Sequence, residues 1–184
     1  MAKKHKTRKP KTAPAQHTPA QTAPIASFGP RIGALIYDML IVVGIAAVAG
    51  ALGLGIAEAL IAANFVDIDA RYLDSADYAG DQLWYAVLVW GSVCSFYLWF
   101  WTHGGQTVGM RAWRLRVQNS DGSAISFTQA LLRLATAAFG LGNLQVPFDP
   151  KNRAFQDHWA RCDVLRLNKE QNGSLLTIPA NLKK

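Results

Sequence analysis

The stretch Ile32–Ala57 reads IGALIYDMLIVVGIAAVAGALGLGIA and carries one charged residue, Asp38. About 20 apolar residues in a helix cross the hydrocarbon of a bilayer. This run is long enough to cross with tilt to spare. A second run, Leu83–Trp101, reads LWYAVLVWGSVCSFYLWFW and has no charged residue. Trp84 and Tyr85 open it and Trp99, Phe100 and Trp101 close it, as belts at the two membrane–water interfaces require. The pair predicts a mainly α membrane protein built on a transmembrane helical hairpin. The first run exceeds the roughly 7–15 residues of a signal-peptide core and contains Asp38, so a retained helix is expected.

The rest of the chain fits that frame. Of 184 residues, 51% are hydrophobic and 17% charged, against about 25% charged in soluble domains. This excludes an ordinary cytosolic enzyme and a wholly disordered chain. The net charge of +7 belongs to the N-terminus: Lys3, Lys4, Lys6, Arg8, Lys9, Lys11 and Arg31 face no acid among the first 31 residues. Residues 1–27 read as a disordered basic tail rich in Pro, Thr and Ala, with nothing to bury against its chain entropy. Beside a span, such an arm suits anionic lipid headgroups. Nucleic acid is not an expected partner, because no finger, RNA-binding aromatic motif or basic recognition helix is present.

Charge also predicts orientation. The loop from Asn64 to Gln82 holds Asp67, Asp69, Asp74, Asp77 and Asp81 against Arg71, and reads as a solvated outer loop. The stretch after the second span holds His103, Arg111, Arg114 and Arg116 against Asp121. The positive-inside rule then gives a cytoplasmic N-terminus. Trp113, Leu115 and Val117 alternate with polar residues ahead of Asp121-Gly122, which predicts a small cytoplasmic β-hairpin. Val164 and Leu165 suggest a further short strand. A third apolar segment, about 127–148, is interrupted by Arg133, Asn143 and Pro147. Ser126 or Thr128 suits its N-cap, and Gly140 its stop near Phe139. It reads as an interfacial or re-entrant helix, with a full span as the alternative. Residues 169–184 read as a flexible tail.

Within the first span, Ala46/Gly50, Ala47/Ala51, Ala49/Gly53 and Ala51/Gly55 are spaced for close helix contact, in this chain or in another copy. Two or three spans are few for a pathway, so a homo-oligomer or a membrane-protein partner is expected. Asp38 lies two turns inside the helix and seven residues after Arg31. A carboxylate there needs a partner or water. An ion pair with Arg31 is the favoured reading, and a proton or cation site the other. Gly104, Gly105 and Gly109 form either a tight exit from the second span or an anion nest beside Arg111. No P-loop, dinucleotide fingerprint, HExxH or Gly-x-Ser-x-Gly occurs. No enzyme activity, metal or cofactor is expected. Cys162 and His158 form a nucleophile pair only if their stretch is helical.

These residues resemble the RDD family of small bacterial membrane proteins, named for an arginine and two aspartates. Arg31-Ile32-Gly33-Ala34-Leu35-Ile36-Tyr37-Asp38 is similar to the family's arginine and first aspartate at the mouth of the first span. Gly105-Gln106-Thr107-Val108-Gly109-Met110-Arg111 is the strongest match, extended by Asp121-Gly122 and by Ala130-Leu131-Leu132-Arg133. Asp157 of Gln156-Asp157-His158 is similar to the second aspartate. The resemblance covers roughly residues 28–167. Gln156 and Cys162 stand where relatives usually carry a His-like residue and a Thr. It implies a membrane domain over 28–168 and makes Arg31, Asp38, Arg133 and Asp157 the candidate charges. Transport, including cation–proton exchange, is suggested for some relatives. The alternative is a non-catalytic membrane factor that supports assembly or a partner.

Overall fold

A computed structural model describes residues 23–69 and 71–175. The lysine-rich part of the basic tail and residues 176–184 lie outside the described residues. Helix α1 (Phe28–Ala62) and helix α3 (Leu83–His103) correspond to the two apolar runs. Both are long and apolar enough to cross a membrane. They turn their apolar side chains outward: Leu40 is 72% exposed, Val43 64% and Trp90 58%. Such surfaces suit lipid as the surrounding medium. At 1.5 Å per residue, the 35 residues of α1 reach about 52 Å, well beyond the hydrocarbon.

α1 and α3 meet most tightly at the end away from the chain's N-terminus. Ala49, Gly53 and Ala57 follow one another at four-residue spacing and are buried, as is Gly50. A Cβ on Gly53 would lie 2.7 Å from the Tyr85 ring and 3.1 Å from Leu88. The close contact expected from the small residues is therefore made within this chain. Ala47, Ala51 and Gly55 lie exposed on another face. The acidic connection is not loop throughout: it contains a short helix, α2 (Ser75–Asp81). Asp74 caps it by accepting from the Asp77 N–H at 2.8 Å.

At the other end, a small polar-and-apolar cap covers the hairpin. It comprises α4 (Val108–Ala112), β1 (Leu115–Gln118), α5 (Phe127–Thr136), a 3₁₀ segment (Ala138–Phe148), α6 (Phe155–Ala160), β2 (Asp163–Arg166) and α7 (Lys169–Ser174). Its core packs Leu115, Val117, Ile125, Ala130 and Val164 against Trp101 and Ala34.

The cap corrects several expectations. The Asp121-Gly122 turn forms, closed by Asn119 N–H donating to Ser123 O at 2.9 Å, but no hairpin strand follows it. Ser126 and Gln129 make a reciprocal capping box that starts α5 at Phe127, so the backbone is committed to helix there. β1 pairs instead with β2, antiparallel, Leu115 opposite Arg166 and Val117 opposite Val164. Residues expected in the disordered tail also join: Ile25 bridges Leu165, and the Ala26 N–H donates to Val164 O at 2.8 Å. α5 stops at Thr136, short of Phe139. Its 10 residues reach about 15 Å, too short by themselves to cross a bilayer. Nor are residues 169–174 an irregular tail. Asn168 and Gln171 cap α7, and Asn172 docks it on Gln106.

Gly53→Val forces the Tyr85 ring and Leu88 aside and costs about 1–3 kcal/mol. Thermal unfolding followed with a thiol-reactive dye should show a Tm several degrees lower. Gly55→Ala, whose added Cβ meets nothing, should leave Tm unchanged.

Candidate functional site

Two charge centres lie where the cap meets the hairpin, and their pairing differs from the expected one. Arg31, in the first turn of α1, does not reach Asp38. Its Nη1 donates to Asp157 Oδ2 at 2.7 Å, its Nε to the Ala26 carbonyl at 3.0 Å and its Nη2 to the Asn152 carbonyl at 3.1 Å. Arg133, near the end of α5, donates from Nη1 to the other carboxylate oxygen of Asp157 at 2.5 Å. The Ala154 N–H completes the shell at 3.0 Å. Asp157 is thus a fully buried bridge between two guanidiniums, whose own side chains are 3% and 5% exposed.

Burial alone would raise the Asp157 pKa. The Arg133 and Arg31 charges and the Ala154 N–H outweigh it and hold the carboxyl below its ordinary value. The arrangement brings together three of the four candidate charges. Removing one partner of a buried ion pair leaves an uncompensated charge and costs about 3–5 kcal/mol.

Asp38 has a different role. Thr107 is the N-cap of α4, accepting from the Met110 N–H at 3.2 Å. Its hydroxyl donates to Asp38 Oδ2 at 2.5 Å, and the Gly109 N–H donates to Oδ1 at 2.8 Å. Asp38 therefore anchors the start of α4 through two neutral donors. Gly109 is required by closeness: a Cβ there would clash with the Ala34 carbonyl and the Asp38 carboxylate. The anion held at this backbone position is the protein's own.

The rest of the glycine-rich motif is structural. Gly104 is the C-cap of α3 and Gly105 takes φ +67, so the chain leaves the span in a tight turn. Gln106 donates from Nε2 to Leu115 O at 2.7 Å and to Asn172 Oδ1 at 2.9 Å. Arg111 is exposed and stands apart from the buried charges.

Some participants carry no sequence signal. Backbone carbonyls of Ala26 and Asn152 hold Arg31, and the Trp101 ring lies 5.1 Å from the Arg133 guanidinium carbon. Cys162 accepts from Arg133 Nη1 at 3.1 Å. Burial pushes its thiol pKa up, against the pull of Arg133, the opposite of an activated nucleophile. α6 ends at Ala160 with Arg161 left-handed, so Cys162 is not on the helix that carries His158. His158 pairs with Asp149 at 3.2 Å.

Arg31, Asp38 and Arg133 all border one cavity of about 660 Å³ between α1, α3 and the cap, which is otherwise mostly apolar.

The sequence profile of the RDD family matches residues 25–161, about three quarters of the chain. The chain belongs to the RDD family. The match takes in Arg31, Asp38, the Gly105–Arg111 motif, Arg133 and Asp157. Membership and the two long apolar helices together indicate a membrane protein. No curated protein and no solved structure matches the chain.

Asp157→Asn leaves two guanidiniums around a neutral amide and should lower the yield of monodisperse protein several-fold. Asp157 has a depressed folded pKa against about 3.9 when unfolded, so its stabilisation is full above about pH 4 and is lost as pH falls toward the folded value. An acid titration of Tm should show this loss in the wild type and a smaller one in Asp157→Asn.

Proposed function

We propose that this RDD protein handles a cation or proton at Asp38, as a multi-pass protein of the bacterial inner membrane with its N-terminus in the cytoplasm. One observation carries the reading. Asp38 borders the cavity between the helices and is bonded only to neutral donors, while both buried arginines pair with Asp157. A carboxylate in a membrane helix without a cationic partner favours uptake of a proton or a cation. Two spans make a narrow scaffold for a pathway, so the working unit is an oligomer or a complex with another membrane protein. Anionic headgroups face the basic tail. The chain acts without enzymatic catalysis or a cofactor.

The orientation follows from charge. Residues 149–184 carry seven Lys or Arg against four acids, which favours the same side as the N-terminal arm. α5 and the 3₁₀ segment expose Phe127, Leu131, Leu141, Leu144 and Phe148, as suits a cap lying in the interface. A tag after Lys184 should be reached by impermeant label only after the cells are opened. Labelling in intact cells would overturn the two-span orientation.

Asp38→Asn is the test of function. An amide keeps one acceptor, and its N–H₂ can donate to Thr107, so folding should survive. Cation-driven proton flux in proteoliposomes should fall to background at unchanged protein level. Undiminished flux would reject the proposal.

A second reading has its own support. The Arg31–Asp157–Arg133 bridge is buried and engages both oxygens of Asp157, which suits a non-catalytic factor whose charges only lock the cap in place. That reading expects Asp38→Asn to lower the amount of folded protein instead, with no flux in the wild type.

A further inference from the structure

The cavity has a shape and polarity that ion handling does not account for. It is elongated. Its α1 wall runs from Arg31 to Ala46 and its α3 wall from Trp101 back to Val89. At 1.5 Å per residue these are roughly 22 and 18 Å, about the depth of one bilayer leaflet. It exists because the helices converge at Gly50 and Gly53 against Tyr85 and Leu88, while at the other end Met110, Leu115 and Leu134 of the cap stand at its walls. Its volume of about 660 Å³ lies within the range of small-molecule sites.

The two ends differ in chemistry. The deep end is lined by Val42, Ala46, Val89 and Val93. Met39, Val43 and Trp90 also border the cavity and are 44%, 64% and 58% exposed. They form a side rim on the lipid-facing surface. The cap end holds Arg133, Trp101, Asn143 and Gln156. There, hydrogen-bond donors are in surplus. Arg133 Nε and Trp101 Nε1 are buried with no acceptor among the described residues, against one buried acceptor there without a donor, Gln156 Oε1. Arg31 and Arg133 share one carboxylate, so that cluster keeps a net positive charge. Asp38 has both oxygens engaged by Thr107 and Gly109.

We propose that this cavity binds a single-chain carboxylate amphiphile of the fatty-acid class. Its chain lies between α1 and α3, and its carboxylate lies at the cap end beside Arg133 and Trp101. A planar carboxylate matches the donor edge of a guanidinium, and a buried donor left without an acceptor is costly. Entry is lateral, past the Val43–Trp90 rim. This inference uses the membrane placement of α1 and α3 and stands whether or not Asp38 carries a cation.

The test uses full-length protein in dodecyl maltoside and a palmitic acid bearing a photoreactive diazirine in its chain. Labelling should map to peptides around Leu35–Ala46 and Val89–Trp101, and unlabelled palmitate should compete. Hexadecanol, which lacks the carboxylate, should compete about tenfold more weakly, the scale of one charge-assisted hydrogen bond. Ala46→Phe fills the deep end and should remove most of the labelling. Trp101→Phe keeps the ring beside Arg133 but deletes the N–H, and should weaken competition by palmitate several-fold. A Tm close to wild type for either variant separates lost binding from lost fold. Labelling spread over the outer face of α1 and unchanged in Ala46→Phe would overturn the site. Equal competition by hexadecanol would overturn the carboxylate. Stronger competition by phosphatidylglycerol would mean that a bilayer lipid occupies the cavity, and would also overturn the proposal. None of these readouts involves ion flux, so they fail or succeed independently of Asp38.

Discussion

The architecture depends on one carboxylate shared by two guanidiniums. Asp157 on α6 reaches Arg31 at the start of α1 and Arg133 on α5. α1 belongs to the hairpin, and α5 and α6 belong to the cap. The bridge therefore fixes the position of one body against the other. Arg31 also holds the Ala26 carbonyl, and Ala26 is paired to β2. The same guanidinium thereby sets the entry of the chain into its first span. A hydrophobic contact of equal size would lack this directionality, because it has no preferred angle.

Asp38 complements that bridge on another side of the cap. Its two acceptor oxygens meet the Thr107 hydroxyl and the Gly109 N–H. An anion at a helix start is favoured by the unpaired N–H groups there. A five-residue helix has little stability alone. α4 is held in place by a residue 69 positions earlier in the chain. The family's first aspartate thus docks the motif that follows the second span, and the second aspartate docks the rest of the cap.

Much of this was legible in the sequence, in proportion to how local the causes are. The spans follow from uninterrupted apolar runs, and Ser126 as a helix cap follows from its spacing to Gln129. The strand at Val164–Leu165 was visible in side-chain type. The four candidate charges were identifiable through family resemblance, and three of them meet. Their pairing was not legible. Arg31 and Asp38 share a helical face, which suggested an ion pair, but Asp157, 126 residues from Arg31, is the partner. The hairpin at Asp121-Gly122 misled for a related reason. The turn signal is local and correct, whereas the choice of β2 as partner is made by the tertiary fold. The carbonyls of Ala26 and Asn152 act through backbone atoms, which every residue possesses.

The separation of Arg31 from Asp157 also bears on biogenesis. A chain is made from its N-terminus at about 5–20 residues per second. Arg31 reaches the membrane with α1 many seconds before Asp157 exists. Until then two buried arginine positions have no counter-ion, and the cap has nothing to fasten it. Both guanidiniums gain their shared carboxylate only once α6 is made, so closure of the cap onto the hairpin is tied to synthesis through Asp157.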